Sequence, residues 1–281
     1  APQNVTVTVN PIPSLSSTLT PLGICSATTF TYTPTSAVAG ATFAWTRAAV
    51  LGISQAAAAG AGAVSETLTN TTTAPIVVTY AYTTTANGCS NAPQNVTVTV
   101  NPIPALSSTL TPPAICSATT FSYTATSATA GATFSWTRAA VVGISQAASS
   151  GTGNVSEILT NTTTSPKNVT YAYITSANGC SSLVENVVVT VNPIPTLSST
   201  LTPAGICSAT TFSYTPTSAV AGATFTWTRA LVAGISQVAS SGSGNISETL
   251  TNTTTAPIVV TYAVTTTANG CNSTQNVTVT V

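Results

Sequence analysis

A single hexapeptide returns three times along the chain and constrains the fold more than any other feature. It reads Thr-Phe-Ala-Trp-Thr-Arg at 42–47, and similar hexapeptides stand at 133–138 and 224–229, 91 residues apart each time. These copies contain every tryptophan and every arginine of the chain. In a strand, Phe43 and Trp45 share one face, and a neighbouring Phe and Trp need a core to cover them. The period therefore predicts three tandem β domains, each built on one Trp-bearing strand.

The aromatic pairs of the hexapeptides are the predicted core anchors of these domains. They are Phe43 and Trp45, Phe134 and Trp136, and Phe225 and Trp227. A platform that binds sugars is the alternative use of such rings, but tryptophans buried in a core are the more common arrangement.

The domain boundaries follow from a valine-rich strand that ends at an Asn-Pro-Ile-Pro segment. Val5, Val7 and Val9 alternate with threonines up to Asn10, and the same strand and stop recur near 96–104 and 187–195. We predict that residues 1–9 are the last strand of a preceding repeat and that the repeats span 10–100, 101–191 and 192–281. Two prolines restrict each linker, which favours domains arranged as an extended rod.

Within the first repeat, strands are predicted at 28–33, 41–49, 64–68, 76–84 and 96–100, with a weak edge strand at 14–20. The stretch 52–63 is rich in Ala, Gly and Ser and is interpreted as a short helix or an irregular crossing. Asn87-Gly88 is a tight-turn signal. Short strands at regular spacing over about 90 residues predict an all-β fold of immunoglobulin-like β-sandwich domains.

The charge content excludes several classes of partner. Only 3% of residues are charged and the net charge is zero, so nothing attracts nucleic acid or an anionic membrane by charge. The longest apolar runs are far shorter than the ~18 residues that a membrane helix needs, so we expect no membrane insertion. Sheet edges without charged residues resist association weakly, which favours identical chains packed side by side, besides neighbouring repeats of the same chain, as partners.

Catalytic chemistry has little to work with. The chain has no His and no Asp, and each repeat offers one recurring Glu. General acid–base catalysis needs a His or paired carboxylates, and calcium needs several carboxylates. We therefore predict no enzymatic activity, no catalytic or metal site and no cofactor.

Each hexapeptide arginine is followed by a glutamate, and the spacing is the same in all three repeats. The predicted ion pairs are Arg47 with Glu66, Arg138 with Glu157, and Arg229 with Glu248. Strand parity lets both side chains point to the rim of one core, where a bidentate pair would fix the packing of two strands. The alternative is that both charges reach solvent at strand ends.

Six cysteines recur in register, two in each repeat: Cys25, Cys89, Cys116, Cys180, Cys207 and Cys271. They predict structural disulfides in an oxidising compartment, because their spacing is not that of a zinc site. The sequence leaves two pairings open. One joins Cys25 to Cys89 within a repeat. The other joins Cys25 to Cys180 and Cys116 to Cys271 between repeats, and leaves Cys89 and Cys207 for flanking repeats.

The within-repeat pairing meets a topological difficulty. In an immunoglobulin-like path, Cys25 begins the second strand and Cys89 follows the sixth, so the two lie at opposite ends of the domain. A disulfide needs Cα atoms within roughly 7 Å, whereas a strand of about ten residues spans roughly 33 Å. A strand swap or a bulge would rescue this pairing. Asn-X-Thr triplets such as Asn70-Thr71-Thr72 are expected by chance in so Thr-rich a chain.

Several segments of the first repeat together resemble a known family. Ile24-Cys25-Ser26-Ala27-Thr28-Thr29-Phe30, Phe43-Ala44-Trp45, and Ala86-Asn87-Gly88-Cys89 followed by a Val-Thr-Val strand are similar to the PKD-like (immunoglobulin-like) repeats of giant cell-surface adhesins from gliding, Bacteroidetes-type bacteria. The resemblance covers all three repeats. Typical PKD domains carry an acidic Gly-Asp-Gly stretch after the Trp; here Arg47-Ala48-Ala49 stands instead, so no calcium site is carried over.

The resemblance implies an extracellular, cell-surface location, secretion by the type IX route and a stalk or filament role in gliding motility. A surface glycan at an unseen tip is one further candidate partner. Our leading hypothesis is a structural stalk. The alternatives are a glycan- or surface-binding module, which needs exposed aromatics, and an accessory array of a secreted enzyme.

Overall fold

The chain folds entirely into β-structure. A computed structural model describes residues 2–281 and contains 22 strands and no helix in that range. Strand-forming residues alternate between core and solvent: Val78, Tyr80 and Tyr82 are buried, while the residues between them are partly exposed. This period of two is the pattern of a sheet with one covered face.

Repeat 1 (10–100) forms two sheets that face each other. The larger sheet has the order β1-β8-β6-β3-β4, with β7 paired to β6, and the smaller consists of β2 and β5. The strands are β1 (Ile24–Cys25), β2 (Thr28–Tyr32), β3 (Thr42–Arg47), β4 (Ala58–Ala61), β5 (Val64–Leu68), β6 (Ile76–Ala86), β7 (Cys89–Ser90) and β8 (Gln94–Asn101).

Repeat 2 (101–191) has the same strands in the same order. They are β9 (Ile115–Cys116), β10 (Thr119–Tyr123), β11 (Thr133–Arg138), β12 (Ser149–Thr152), β13 (Val155–Leu159), β14 (Lys167–Ala177), β15 (Cys180–Ser181) and β16 (Glu185–Asn192). The larger sheet runs β12-β11-β14-β16-β9, with β15 on β14, and the smaller is β10 with β13.

Repeat 3 (192–281) has two strands fewer, because Cys271 is part of one long strand that runs to Thr280 and residues 206–207 form no strand. Its strands are β17 (Thr210–Tyr214), β18 (Thr224–Arg229), β19 (Ser240–Ser243), β20 (Ile246–Leu250), β21 (Val259–Ala268) and β22 (Cys271–Thr280). The sheets are β19-β18-β21-β22 and β17 with β20.

A one-residue difference explains part of this change. In repeat 3, β21 and β22 pair in one unbroken register from Ala268↔Cys271 to Val259↔Thr280. In repeat 1 the register shifts by one between Tyr82↔Gln94 and Thr85↔Ser90. Repeats 1 and 2 have one more residue after the cysteine than repeat 3. That extra residue acts as a bulge and separates the short strand from the long one.

The core of repeat 1 lies between its two sheets. Phe30 of β2 stacks on Tyr80 of β6 at a centroid distance of 5.3 Å, and Val64 and Leu68 of β5 are fully covered. Repeat 3 builds an equivalent core in which Phe212 stacks on Tyr262, also at 5.3 Å. Each such core removes a large apolar area from water, and this burial stabilises the fold by roughly 25 cal/mol for each Å² of apolar surface.

Two predictions about elements inside the first repeat were wrong, and residues 2–9, which were predicted as a strand, pair with no strand. Residues 14–20 do not form an edge strand; instead Ser16 N–H donates to the Thr35 carbonyl, and Leu15 is buried as a plug of the core. Residues 52–63 contain no helix, because Ile53 bridges to Asn70 and 58–61 form β4 on the edge of the Trp strand. The small side chains of residues 58–61 leave room for the indole ring of Trp45. The composition of this stretch did not reveal that it forms a strand.

By compactness the chain divides into two units. One comprises 1–108, 125–135 and 173–185, and the other comprises 109–124, 136–172 and 186–281. The repeat boundaries drawn from the sequence stay a prediction. Within residues 2–281 no helix is long and apolar enough to cross a membrane.

Candidate functional site

An arginine clamp joins the two sheets of each repeat. Arg47, at the end of β3, donates through Nε to Glu66 Oε2 at 2.9 Å and through Nη2 to Oε1 at 2.7 Å. Glu66 lies on β5 of the opposite sheet, and Arg47 is only 2% exposed. Nη1 also donates to the Ala48 carbonyl, and Nη2 to the Ala56 carbonyl. This is the bidentate geometry that fixes position as well as charge.

A tyrosine completes the clamp, and sequence reasoning missed it. The Tyr80 hydroxyl donates to Glu66 Oε2 at 2.6 Å, while its ring packs edge-on against Trp45 at a centroid distance of 5.5 Å. Tyr80 also recurs at the period of the repeats, and its parity on β6 places it in the core. That recurrence was the available signal.

The clamp is repeated with nearly the same geometry. Arg138 contacts Glu157 at 2.9 Å and Arg229 contacts Glu248 at 2.8 Å. The tyrosine hydroxyls that complete these two clamps belong to Tyr171 and Tyr262. The structure thus places all three predicted pairs inside the rim of a core and not at solvent-exposed strand ends.

The pKa shifts in the clamp favour the charged forms of the arginine and the glutamate and the neutral form of the tyrosine. The guanidinium of Arg47 holds the pKa of Glu66 below its usual value, although partial burial opposes this, and the Tyr80 hydroxyl adds to the lowering. Burial, together with the bond to Glu66, raises the pKa of the Tyr80 phenol. Burial by itself would raise the pKa of Glu157 and of Glu248, but their hydrogen bonds outweigh it and lower both. The carboxylates therefore stay ionised, which is a structural and not an acid–base arrangement.

The hexapeptide aromatics lie where the core meets the edge strand. Trp136 and Trp227 are buried, whereas Trp45 and Phe43 are partly buried and pack against the core of repeat 1. Phe225 packs similarly in repeat 3, and Phe134 is partly buried on β11. The largest fully covered rings are tyrosines and Phe212, which the sequence analysis did not single out as anchors.

A glycine seats each indole. Gly60 lies opposite Trp45 on β4, and a Cβ there would come within 2.7 Å of the ring. Gly151 and Gly242 have the same relation to Trp136 and Trp227. The requirement for close approach explains why these positions of the edge strand carry glycine.

The cysteines form joints between consecutive repeats. Cys25 and Cys180 are disulfide-bonded, with their Cα atoms 5.6 Å apart. Cys25 lies on β1, which pairs in parallel with the end of β8, and the Asn101 side chain donates to the Asn178 carbonyl at 3.2 Å. The disulfide and this hydrogen bond thus join the end of one repeat to the Asn-Gly-Cys turn of the next. The two repeats are also connected by the polypeptide chain that continues from Asn101.

The second joint reproduces the first. Cys116 and Cys271 are bonded with Cα atoms 5.7 Å apart, and Asn192 donates to the Asn269 carbonyl at 3.0 Å. Both bonds have the Cα separation of ordinary disulfides. Sequence reasoning missed the asparagines, although each is the first residue of the recurring Asn-Pro-Ile-Pro segment.

The path of β6 explains why Cys25 does not pair with Cys89. Cys25 neighbours Asn101, next to the β6 end that begins at Ile76, while Cys89 pairs with Ala86 at the other end of the same strand. About ten residues of strand separate those ends by roughly 33 Å. Cys89 and Cys207 are free; Cys89 is partly exposed and Cys207 is exposed.

The Asn-X-Thr triplets that begin at Asn70 and Asn161 stabilise the turn before the longest strand of their repeats. Asn70 is 7% exposed, and its Nδ2 donates to the carbonyls of Ala74 and Val100 at 2.8 Å each. Asn161 has the same burial and partners of the same kind. An amide nitrogen that is occupied in this way is not presented for glycosylation.

No group of three or more metal-ligating side chains occurs within residues 2–281. An open depression of about 400 Å³ lies beside Arg138, whose guanidinium is held by Glu157. Its lining includes Ser149 and Ser150, and the chain has no His to activate them. The depression therefore does not assemble an activated nucleophile.

The repeated sandwich and its joints define a tandem array of immunoglobulin-like domains. The sequence profile of the PKD-like domain matches residues 23–104, 113–195 and 204–281. The chain therefore belongs to the PKD-like domain family. No curated protein matches it.

Solved structures with tandem immunoglobulin domains are similar at low identity. A three-domain titin fragment, I67–I69, is 10% identical with a TM-score of 0.42, and the match covers 95% of this chain and 98% of that one. Extracellular domains 3–5 of Drosophila OTK are 11% identical with a TM-score of 0.30, over 93% and 94% of the two chains. Likenesses with TM-scores this low do not bear on function.

Proposed function

We propose that this chain is a non-enzymatic structural segment of an extracellular cell-surface filament or adhesin stalk. The observation that carries the proposal is the disulfide joint, which recurs between consecutive repeats with the same residues and nearly the same geometry. Disulfides persist in oxidising environments outside the cytosol. Membership of the PKD-like family and the inward use of the arginines and glutamates support a structural role.

The two disulfides interlock, and this has a mechanical consequence. Cys25–Cys180 and Cys116–Cys271 each span 155 positions of sequence and overlap each other. Between the two bonds, the segments 25–116, 116–180 and 180–271 run in parallel, so tension on the chain ends is shared among them. The shortest segment, 116–180, limits the extension.

The limit can be stated as a length. With both bonds closed, only 1–25, 116–180 and 271–281 extend in series, which is roughly 98 peptide links and roughly 340 Å at about 3.5 Å per residue. With both bonds open, the whole chain extends to roughly 980 Å. Two overlapping disulfides of this kind suit a protein that bears tension. In a binding module that acts alone, they would have no evident use.

The finer parts of the proposal concern biological context. We propose the cell surface of a gliding, Bacteroidetes-type bacterium as the location, type IX secretion as the route and a gliding-motility adhesin as the full-length protein. The support is the resemblance of the Ile-Cys-Ser, Phe-Ala-Trp and Asn-Gly-Cys segments to such repeats. Identical neighbouring chains and a surface glycan at a distant tip belong to the same proposal.

Disulfide mapping and force measurement together test this function. Mass spectrometry of unreduced, protease-cut protein from the native source is expected to yield linked peptides containing Cys25 with Cys180 and Cys116 with Cys271. Pulling on the two chain ends is expected to give a contour of roughly 340 Å without reductant and of roughly 980 Å with it.

Other outcomes would count against the stalk. Linked peptides containing Cys25 with Cys89 would mean separate beads, and an unchanged contour on reduction would mean that the joints carry no tension. The variant Cys25→Ser/Cys116→Ser, which cannot form either joint, is the control for the extended length.

A further inference from the structure

The outward face of the larger sheet in repeat 3 carries a regular grid of hydroxyl groups. Every second residue of β18 points away from the core, and these residues are all threonines: Thr224, Thr226 and Thr228. The neighbouring strands β19, β21 and β22 present mainly serine and threonine on the same face. The four strands together therefore form one hydroxyl-bearing surface, which we call the threonine face.

The strand register arranges the residues of the threonine face in rows. One row crosses all four strands through Ser243, Thr226, Thr265 and Thr274. Neighbouring strands lie about 4.7–4.9 Å apart, and the outward residues of one antiparallel strand repeat about every 6.8 Å. The side chains thus form a two-dimensional lattice with two fixed spacings.

The lattice is more regular in repeat 3 than in the other repeats. In repeat 3, β21 and β22 pair in one unbroken register, whereas the bulge of repeat 1 interrupts the pairing of β6. Repeat 2 has Ile174 and Val188 where repeat 3 has Thr265 and Thr278. The widest regular hydroxyl surface therefore belongs to repeat 3.

The threonine face carries no charge. Within residues 192–281, all of which the structure describes, the charged side chains are Arg229 and Glu248, and their clamp holds both on the core side of the sheet. A charged group orients the water around itself, whereas threonine presents a methyl group beside a hydroxyl that both donates and accepts. The order of the water above this face is therefore set by the spacing of the side chains.

Several hydroxyls of the face are left for an external partner. Those of Thr265 and Thr274 bond to each other at 2.8 Å. Among residues 2–281, no group hydrogen-bonds to the hydroxyls of Thr226, Thr228 and Thr278. These groups bond to water in solution, and they fit a surface whose own donors and acceptors repeat at regular intervals.

We propose that the threonine face binds the surface of ice. Ice is uncharged and offers hydrogen-bond donors and acceptors at fixed spacings, so it matches this face in charge and in periodicity. Because the twist of a sheet limits the area over which two lattices can match, we expect adsorption that slows the growth of existing crystals. The inference is independent of the proposed function, since neither the joints nor the clamps contribute to this face.

The recrystallisation of ice tests the proposal with two matched double variants. Thr226→Tyr/Thr265→Tyr covers the threonine face with large side chains. Thr211→Tyr/Thr249→Tyr is the control on the outward face of the smaller sheet, where these two threonines lie opposite each other with their hydroxyls 3.0 Å apart. The wild-type chain and the control are expected to keep ice crystals small during annealing just below the melting point, and the face variant is expected to lose this effect.

Direct binding is measured by freezing a solution slowly and comparing the protein content of the ice with that of the remaining liquid. The wild-type chain and the control are expected in the ice, and the face variant in the liquid. Thr226→Lys, a single exposed change that places a charge on the face, is expected to behave like the face variant. It replaces the face variant if circular dichroism shows that the tyrosines disturb the fold.

Three results would overturn the proposal. One is a wild-type chain that stays in the liquid and leaves crystal growth unchanged. Another is a folded face variant that acts on ice as strongly as the wild-type chain. The third is a different occupant without any effect on ice, either microcrystalline cellulose that retains the wild-type chain or self-association in sedimentation velocity that the face variant abolishes.

Discussion

The arginine clamp and the cysteine joint are the two repeated devices of this molecule, and they differ in what they hold. The clamp is non-covalent, lies inside a repeat and connects its two sheets through Arg47, Glu66 and Tyr80. The joint is covalent, lies between repeats and connects Cys25 to Cys180. One set of residues therefore holds the two sheets of a repeat together, and a different set connects the repeats. A change to one device should leave the other working.

The largest effect is expected from breaking the clamp. Arg47→Ala removes the partner of a largely buried carboxylate, which costs about 3 kcal/mol or more in such settings. We expect repeat 1 to unfold first while repeats 2 and 3 keep their transition, and the Cys25–Cys180 disulfide still to form. Denaturant unfolding is followed in three versions of the protein that each keep one tryptophan, Trp45, Trp136 or Trp227, with Phe at the other two positions, so that the fluorescence reports on one repeat at a time.

Lys167→Ala is the matched control, because this cation belongs to none of the three clamps. It is expected to change stability by less than about 0.5 kcal/mol. A loss for Arg47→Ala no larger than that of the control would remove the clamp from the account of stability.

The next effect isolates the tyrosine. Tyr80→Phe deletes a hydroxyl that donates to a carboxylate at 2.6 Å, and we expect a loss of about 2 kcal/mol. Tyr82→Phe is the control, since its hydroxyl donates to the neutral carbonyl of Gly62 at 3.1 Å and should cost about 1 kcal/mol. Equal losses would show that the charge of Glu66 adds nothing to the bond.

Acid should weaken the clamps and spare the joints. The folded-state pKa of Glu66, Glu157 and Glu248 lies below the ordinary value of 4.5. The clamp's contribution to the unfolding free energy is therefore fully present above a pH of 4.5. It is lost as the pH falls through the lowered pKa of the glutamate. Unfolding free energies measured from pH 7 down to pH 2 are expected to fall mainly below about 4.5.

The triple variant Glu66→Gln/Glu157→Gln/Glu248→Gln sharpens the acid experiment. Because its clamps no longer titrate, its stability should vary less with pH over the same range. An equally steep fall in this variant would mean that other groups cause the acid sensitivity. The amount of each disulfide is expected to stay constant throughout, since thiol exchange slows in acid.

The smallest effect on the clamps is expected from opening a joint. Cys25→Ser/Cys180→Ser removes a disulfide, which typically costs about 2–4 kcal/mol, but each repeat is still expected to fold, because all three clamps remain. The same variant should make the Asn101–Pro104 linker more accessible to proteases. A repeat that fails to fold without its disulfide would contradict the division of labour between clamp and joint.

Much of each repeat could be predicted from the sequence, because the deciding interactions are short in range or periodic. Alternation gave the faces of the Trp strand and of the long tyrosine strand, and a spacing that is constant across the repeats identified Arg47 with Glu66. The edge strand at 58–61 could not be predicted. Its Ala-Ala-Gly-Ala sequence has no strand preference, and it forms a strand only because Gly60 fits beneath the Trp45 ring.

The sequence by itself determined the all-β class, the threefold period, the clamp spacing and the presence of six cysteines in register. Only the tertiary structure decided which cysteines meet. A disulfide forms between Cα atoms a few ångströms apart, and for residues 155 positions apart that distance depends on the path of every strand between them. The burial of Asn70 was decided in the same way, because its amide bonds to Val100, a residue 30 positions further along the chain. Local sequence patterns determine which face of a strand a residue lies on. The pairing of the cysteines depends instead on where the strands begin and end in the folded molecule.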